Sequence, residues 1–392
     1  MLDYVYERLT ELFPEMVENR RHFHKYPELS FKEVNTPKKI AEYLQELGIE
    51  VRTNVGGRGV VGKIVGGKSG KTVAIRADFD GLPVQDEKEV SYKSQIPGVM
   101  HACGHDAHTA ILLTVARVLH EYRESLSGNV VLIHQFAEEV SPGGAKAMIE
   151  DDCLDGVDVI FGTHLWSTVP VGEVKYGIGH FMASSDRFEI EVKGKGGHGA
   201  SPHETIDSIV VGATIVKEIQ QIVSRNINPL KPAVVSVGTF HAGETFNVIA
   251  DHAKITGTVR TLDTSVQELI IDRLEKIVKG TCESVGAEYK LKYEKGYPPV
   301  FNHEAETVFL ADCAKKVVGT AKVNAMEPLM GGEDFAYYLQ KVPGTFFITG
   351  AGNAKKDIVY PHHHPKFDID EDSMLIAAKV FVTSVIEYLQ KN

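Results

Sequence analysis

The sequence is short of the features that would assign it to several large classes of protein. Its 392 residues contain four cysteines and one tryptophan. Four cysteines in so long a chain do not suggest a disulfide framework, and the most conspicuous, Cys103, sits among histidines; a reducing, cytoplasmic compartment is expected. Basic clusters are missing too: 42 Lys and Arg stand against 53 Asp and Glu, a formal charge of −11, with no Lys/Arg stripe. Nucleic acid is therefore not an expected partner. The longest apolar stretches, such as NVVLIHQF and AAKVFVTSVIEYL, fall short of the roughly 20 residues that span a bilayer, so no membrane segment is expected. The first residues, MLDYVYERLTELFPEMVENRR, place apolar side chains at helical spacing among several carboxylates, which predicts an amphipathic first helix rather than a secretory signal.

What the chain does have is enough apolar residue, 43%, for more than one core, and its length favours two domains. In the first half, β-branched runs alternate with helical patterns: VVGKIVG, KTVAIRAD, a helix over about Thr109 to Tyr122, then NVVLIHQF and VDVIFGTH. That rhythm predicts an α/β sheet with its chemistry in the loops at strand ends. From about Ser184 the order becomes strand RFEIEVKG, helix about Thr205 to Arg225, strands AVVSVGTF and AKITGTVRTL, helix about Ser265 to Val285, strand AEYKLKYE. This is the split βαβ arrangement of a small self-contained unit. After about Pro298 the α/β style returns with a helix around Glu304 to Val318, a strand at TFFITG and a closing helix from Ser373 to Gln390. The expected architecture is a discontinuous domain of residues 1–183 and 298–392, interrupted by an inserted domain of residues 184–297.

The densest chemistry is GVMHACGHDAH, where Cys103 and His105, thiolate and imidazole formers, are followed by Asp106 and His108. The same run also fits a helix start with Asp106 near the cap and histidines satisfied by hydrogen bonds. Further ligand types recur at predicted strand ends: Glu138 and Glu139 after NVVLIHQF, His164 after VDVIFGT, and the run His362, His363, His364. Adjacent residues leaving a strand point in opposite directions, so Glu138 and Glu139 are expected to do different jobs, one on a metal and one as a base. Solvated loop carboxylates and surface histidines are the competing explanation.

At these residues the chain resembles the M20 peptidase family, in its amidohydrolase branch. The resemblance runs through RRHFHKYPELSFKE, RADFDGLPVQ, GVMHACGHDAH, HQFAEE, GGA, IFGTH, GKGGHGASPH, GTVRT, MGGEDFAYYL and HHPKFDIDE, nearly the whole chain. It implies an aminopeptidase-like α/β catalytic domain holding two divalent metal ions, with an inserted ferredoxin-like (βαββαβ) lid and dimerisation domain. It implies Cys103 as the bridge between the ions, His105 and His363 completing one site, Glu139 and His164 completing the pair, and Glu138 as catalytic base. Asp78 matches an aspartate that orients a ligand or the base, and Arg76 stands where other branches carry a metal-binding histidine. In the lid, His198 matches a histidine that polarises the scissile carbonyl; Asn247 and Arg260 match residues that hold the substrate carboxylate. The implied activity is hydrolysis of small N-acyl amino acids, with manganese, zinc, cobalt or nickel as the metal and a homodimer or homotetramer formed through the lid. A lid that opens and closes about hinges near Ser184 and Pro298 is also implied. The alternatives are a metallo-dipeptidase or carboxypeptidase, and a metal-binding or scaffolding protein without catalysis.

Overall fold

The computed structural model of the chain describes residues 2–391. It divides into two compact units. The first comprises the described residues up to Gly179 together with Phe301–Glu327 and the chain from Asp334 onward; the second is His180–Val300 with Pro328–Glu333. The sequence reading set the edges of the insert at 184 and 297 and did not include residues 328–333, a short loop without periodicity that gives no sign of the unit it joins.

The first unit opens with two helices where one was expected, α1 (Leu2–Glu11) and α2 (Phe13–Lys25). Pro14 lies in the first turn of α2, where its missing N–H costs nothing, whereas one continuous helix would lose a hydrogen bond at that position. There follow α3 (Asn35–Glu46), β1 (Glu50–Val55), β2 (Gly59–Val65), β3 (Lys68–Asp78), α4 (His105–Glu121), β4 (Ser127–Gln135), α5 (Ala145–Glu150), β5 (Val159–Pro170) and β6 (Val174–Tyr176). The passages between the units lie in the short strands β7 (Gly179–Met182) and β14 (Val300–Asn302).

The second unit contains β8 (Ser185–Lys193), β9 (Gly197–His198), α6 (Ser208–Gln221), β10 (Ala233–Ala242), β11 (Val248–Ile249), β12 (His252–Thr261), α7 (Thr264–Val285) and β13 (Glu288–Tyr297). Its main sheet has the order β10-β12-β8-β13, with antiparallel pairs throughout, the ferredoxin-like order expected of a split βαβ unit. Burial alternates along β8, so Phe188, Ile190 and Val192 face one side. They pack with Val211, Ile215 and Ile219 of α6 and with Val266, Ile270, Leu274 and Val278 of α7. The four α7 residues recur every fourth position, one helical stripe. Asp207 and Asp263 accept amide hydrogen bonds at the starts of α6 and α7, supplying partners that a helix start lacks.

The first unit closes with α8 (Glu304–Val318), β15 (Val323–Ala325), α9 (Ala336–Leu339), β16 (Gly344–Gly352) and α10 (Asp372–Lys391). Its eight-stranded sheet has the order β1-β2-β4-β3-β5-β16-β6-β15. The centre is parallel: β3 pairs with β4 and β5, and β5 with β16. All nine residues of β16 are buried, as they must be in a strand covered on both faces. The helix α4 begins at His105, four residues before the expected start, so the second histidine of the GHDAH run lies inside the helix and the first opens it. The strand β5 runs on to Pro170, which places His164 within the strand rather than at its end.

Candidate metal centre

The C-terminal ends of β3 and β4, the middle of β5, the start of α4 and the segment 361–364 bring the expected ligands together in the first unit. Gly104, at φ +92°, makes the turn that sets His105 at the first position of α4, a conformation that a side chain would strain. Cys103 Sγ lies 3.3 Å from His164 Nε2, and His363 Nε2 lies 3.3 Å from Glu139 Oε1. His105 Nε2 stands 3.9 Å from a carboxylate oxygen of both Glu138 and Glu139. Ligand atoms fall into overlapping groups of Cys103, His105 and His164; of Cys103, Glu139 and His363; and of His105, Glu138 and Glu139. Cys103 is thus common to two groups, one with His105 and His164 and one with Glu139 and His363, and His105 also groups with Glu138 and Glu139.

Glu138 and Glu139 were expected to diverge. They converge on His105 instead, because β4 ends at Gln135 and Ala137 takes a left-handed conformation at φ +50°, which breaks the alternation of an extended strand. His363 is also left-handed, at φ +66°, and its N–H donates to the Ala102 carbonyl at 2.8 Å.

Two of the cluster's imidazoles are oriented through their other nitrogen. His105 Nδ1 donates to the Asp80 carbonyl at 3.0 Å and His164 Nδ1 to the Leu165 carbonyl at 2.8 Å. Both bonds aim an Nε2 lone pair into the cluster, the usual arrangement around a ligating histidine. His105 Nε2 and Glu139 Oε1 are buried with no hydrogen-bond partner among the described residues. A buried imidazole nitrogen without a hydrogen bond, 3.9 Å from a carboxylate oxygen that His363 Nε2 approaches at 3.3 Å, fits a cation site, since buried polar atoms are otherwise hydrogen-bonded.

The electrostatics agree. Burial, and then Glu139 and Glu138, push the Cys103 thiol well above its usual range, so its thiolate needs a neighbouring cation. Burial lowers the affinity of His105 for a proton, but Asp78, Asp80 and Glu139 outweigh it and raise the group to about 10. Burial and the imidazoles of His108 and His362 hold His164 well below its normal value. The donor set of thiolate, imidazole and carboxylate suits first-row divalent ions.

Asp78 is near this cluster without being free to ligate. Arg76, almost fully buried, donates to Asp78 Oδ2 at 2.5 Å, to Asp334 at 2.8 Å and to Gln135 at 2.9 Å. The other oxygen of Asp78 accepts from His108 Nδ1 at 2.7 Å, and His108 Nε2 accepts the Leu165 N–H at 2.9 Å. Both Asp78 oxygens and both His108 nitrogens are thus engaged, which makes the chain a support beside His164, although Asp78 and His108 also lie close to His105. Sequence reasoning missed Asp80, His108 as a support, Gln135 and Asp334. Asp80 and Asp334 lie inside the RADFDGLPVQ and MGGEDFAYYL blocks, the signal that was available.

The remaining residues fall in the second unit. His198 and Asn247 are exposed, on and beside the paired strands β9 and β11; His198 Nδ1 accepts the Ala200 N–H at 3.0 Å, and the Asn247 carbonyl accepts the Gly199 N–H at 2.9 Å. Arg260 is partly buried on β12 and makes no hydrogen bond or ion pair among the described residues.

Residues 74–387 match the family described as Peptidase family M20/M25/M40. The chain belongs to this family. It is 56% identical over 384 residues to YhaA of Bacillus subtilis (strain 168), to which an amidohydrolase activity is ascribed, covering 98% of this chain and 97% of that one. It is 43% identical over 380 residues to thermostable carboxypeptidase 1 of Saccharolobus solfataricus, covering 96% of each. It is 44% identical over 294 residues to N-acyl-L-amino acid amidohydrolase of Geobacillus stearothermophilus, covering 75% of this chain and 80% of that one. Among solved structures, the YXEP protein of Bacillus subtilis, described as a dinuclear metal-binding peptidase of the M20 family, superimposes with a TM-score of 0.82 at 34% identity, over 98% of this chain and all of that one. No helix among the described residues is long and apolar enough to cross a membrane.

Proposed function

We propose that this M20 protein is a metal-dependent amidohydrolase that cleaves the amide bond of small N-acyl amino acids, releasing a carboxylate and a free amino acid. The observation that carries the reading is the convergence of Cys103, His105, Glu139, His164 and His363, with His105 Nε2 buried and without a hydrogen bond among the described residues. These five residues would hold two divalent ions, manganese, zinc, cobalt or nickel. When bound, the ions supply Lewis acidity toward the acyl carbonyl and the attacking water.

The chain's own groups do the rest. Glu138, nearly buried and adjoining His105, takes a proton from the water as it attacks the acyl carbon and delivers it to the departing nitrogen. Asp78, clamped by Arg76, keeps His108 and so the His164 segment in place. In the second unit His198 donates to the oxygen that becomes charged, and Asn247 with the unpaired guanidinium of Arg260 holds the substrate carboxylate. The protein works in the cytoplasm as a homodimer or homotetramer through that unit, whose surface exposes Phe246, Leu230 and Val248; its unfolding would then depend on protein concentration.

The test is a panel of N-acetyl and N-benzoyl amino acids beside matching dipeptides, offered to chelated protein reloaded with each metal. Release of free amino acid from the N-acyl compounds is expected. Cleavage confined to dipeptides would move the assignment to the carboxypeptidase or dipeptidase reading, which the Saccharolobus relative keeps in view. Glu138→Gln is expected to abolish turnover with metal content nearly intact; an equal loss of metal would overturn the division of labour between Glu138 and Glu139.

A further inference from the structure

The block YPELSFKE is part of the family resemblance and has no role in the mechanism above. In the structure it grips the turn that carries the two central carboxylates. Glu33 is fully buried, and its Oε1 accepts the Ala137 N–H at 2.9 Å. Two residues further on, the Glu139 N–H donates to Asp80 Oδ2 at 3.1 Å, and the same carboxylate oxygen is held by the Ser30 hydroxyl at 2.6 Å. Between these bonds, the Phe31 ring meets Phe136 edge-on, with centroids 5.9 Å apart. Phe31 itself is left-handed at φ +63°, a conformation that for a bulky residue persists only where the surroundings enforce it. The segment therefore holds the turn at residues 136, 137 and 139 and leaves Glu138 and the Glu139 side chain projecting toward His105.

Ala137 needs such a grip. At φ +50° its Cβ crowds the backbone, and the conformation costs about 1–2 kcal/mol relative to a right-handed or extended one. Relaxation to an extended strand would restore alternation and swing Glu138 and Glu139 to opposite sides. The fully buried Glu33 side chain has little freedom to release its bond, and the Arg58 guanidinium donates to the Glu33 carbonyl at 2.5 Å, fixing the backbone that carries it.

We propose that Glu33 is a positioning residue of this enzyme: through the Ala137 N–H it locks the left-handed turn that aims both Glu138 and Glu139 at the metal centre. The proposal rests on the amidohydrolase reading for its kinetic consequence but not for the contact. Only an acceptor oxygen is required, so Glu33→Gln keeps the function and Glu33→Ala removes it.

The test pairs amide hydrogen exchange on metal-free protein with kinetics on the reloaded enzyme. In E33A the Ala137 amide is expected to exchange faster, kcat to fall roughly 10- to 100-fold as for other residues that orient metal ligands, and KM to change little. E33Q is expected to remain close to wild type in both readouts. If E33A does not fold, Glu33→Asp carries the test, since the shorter side chain withdraws the acceptor while filling most of the space. Unchanged exchange in the E33A or E33D variant, a loss expressed in KM alone, or an E33Q variant as impaired as E33A would each overturn the proposal. Should wild-type protein hydrolyse no N-acyl amino acid, the proposed function falls, while the exchange comparison still decides whether Glu33 locks the turn.

Discussion

A single histidine shows what burial does to titration in this protein. His134, near the C-terminal end of β4, is fully buried, and neither ring nitrogen has a partner among the described residues. Burial alone holds it down at about 3. Folding thus excludes a proton that the unfolded chain accepts below about pH 6.5. A histidine with a depressed folded value contributes nothing adverse above that pH and destabilises progressively as pH falls from about 6.5 toward 3. His134→Leu removes this penalty, so the loss of stability between pH 7.5 and pH 5 is expected to shrink by about 2 kcal/mol in urea denaturation. Identical pH dependence in the two proteins would refute it. The residues of the cluster were legible from chemical type and motif: Cys103, His105, Glu138, Glu139, His164 and His363 lie together. Their supports were not, because Asp80 acts through its backbone carbonyl on His105 and through its carboxylate on the Glu139 backbone amide, and the left-handed turn at Ala137 has no glycine to announce it.

At the scale of elements, three of the sequence blocks meet around one buried arginine. Arg20 of α2 donates to Asp106 of α4 at 2.9 Å, to Asp368 at 2.6 Å and to Glu371 at 3.1 Å. His24, one turn further along α2, bonds Asp106 and Asp86. Asp106 directly follows the ligand His105, so the clamp ties the start of α4 to α2 and to the segment leading into α10. Arg20→Met would strip Asp106 and Asp368 of this guanidinium, while Glu371 keeps Arg21; a destabilisation of about 3–5 kcal/mol is expected, read as a lower urea midpoint with an unchanged slope. A change below 1 kcal/mol would show the carboxylates satisfied by other groups. The long elements with clear periodicity were legible: α8 runs from Glu304 to Val318 as expected, and the strands and helices of the insert fall in the expected order. The start of α4 at His105 falls where the alternative reading of the GHDAH run, a helix start with Asp106 near the cap, had put it, and four residues before the start expected from periodicity.

For the whole molecule, the division into two units has a thermodynamic consequence. The insert has its own core on β8, α6 and α7, and its order could be read from the sequence because each element is amphipathic. The assignment of residues 328–333 to that unit could not, since it depends on tertiary contact alone. All five proposed ligands belong to the first unit. A ligand that binds only the folded state stabilises by RT ln(1 + [L]/Kd), about 2.7 kcal/mol at a hundredfold excess over Kd. Metal can act in this way only on the unit that holds it. Calorimetry is therefore expected to show two transitions, of which chelation lowers the one belonging to the first unit and leaves the other in place. If the second unit carries the oligomer interface, its transition rises with protein concentration at constant metal. One transition that moves as a whole on chelation would mean that the two units unfold together, so that the cluster around Cys103 stabilises the insert as well as the sheet that holds it.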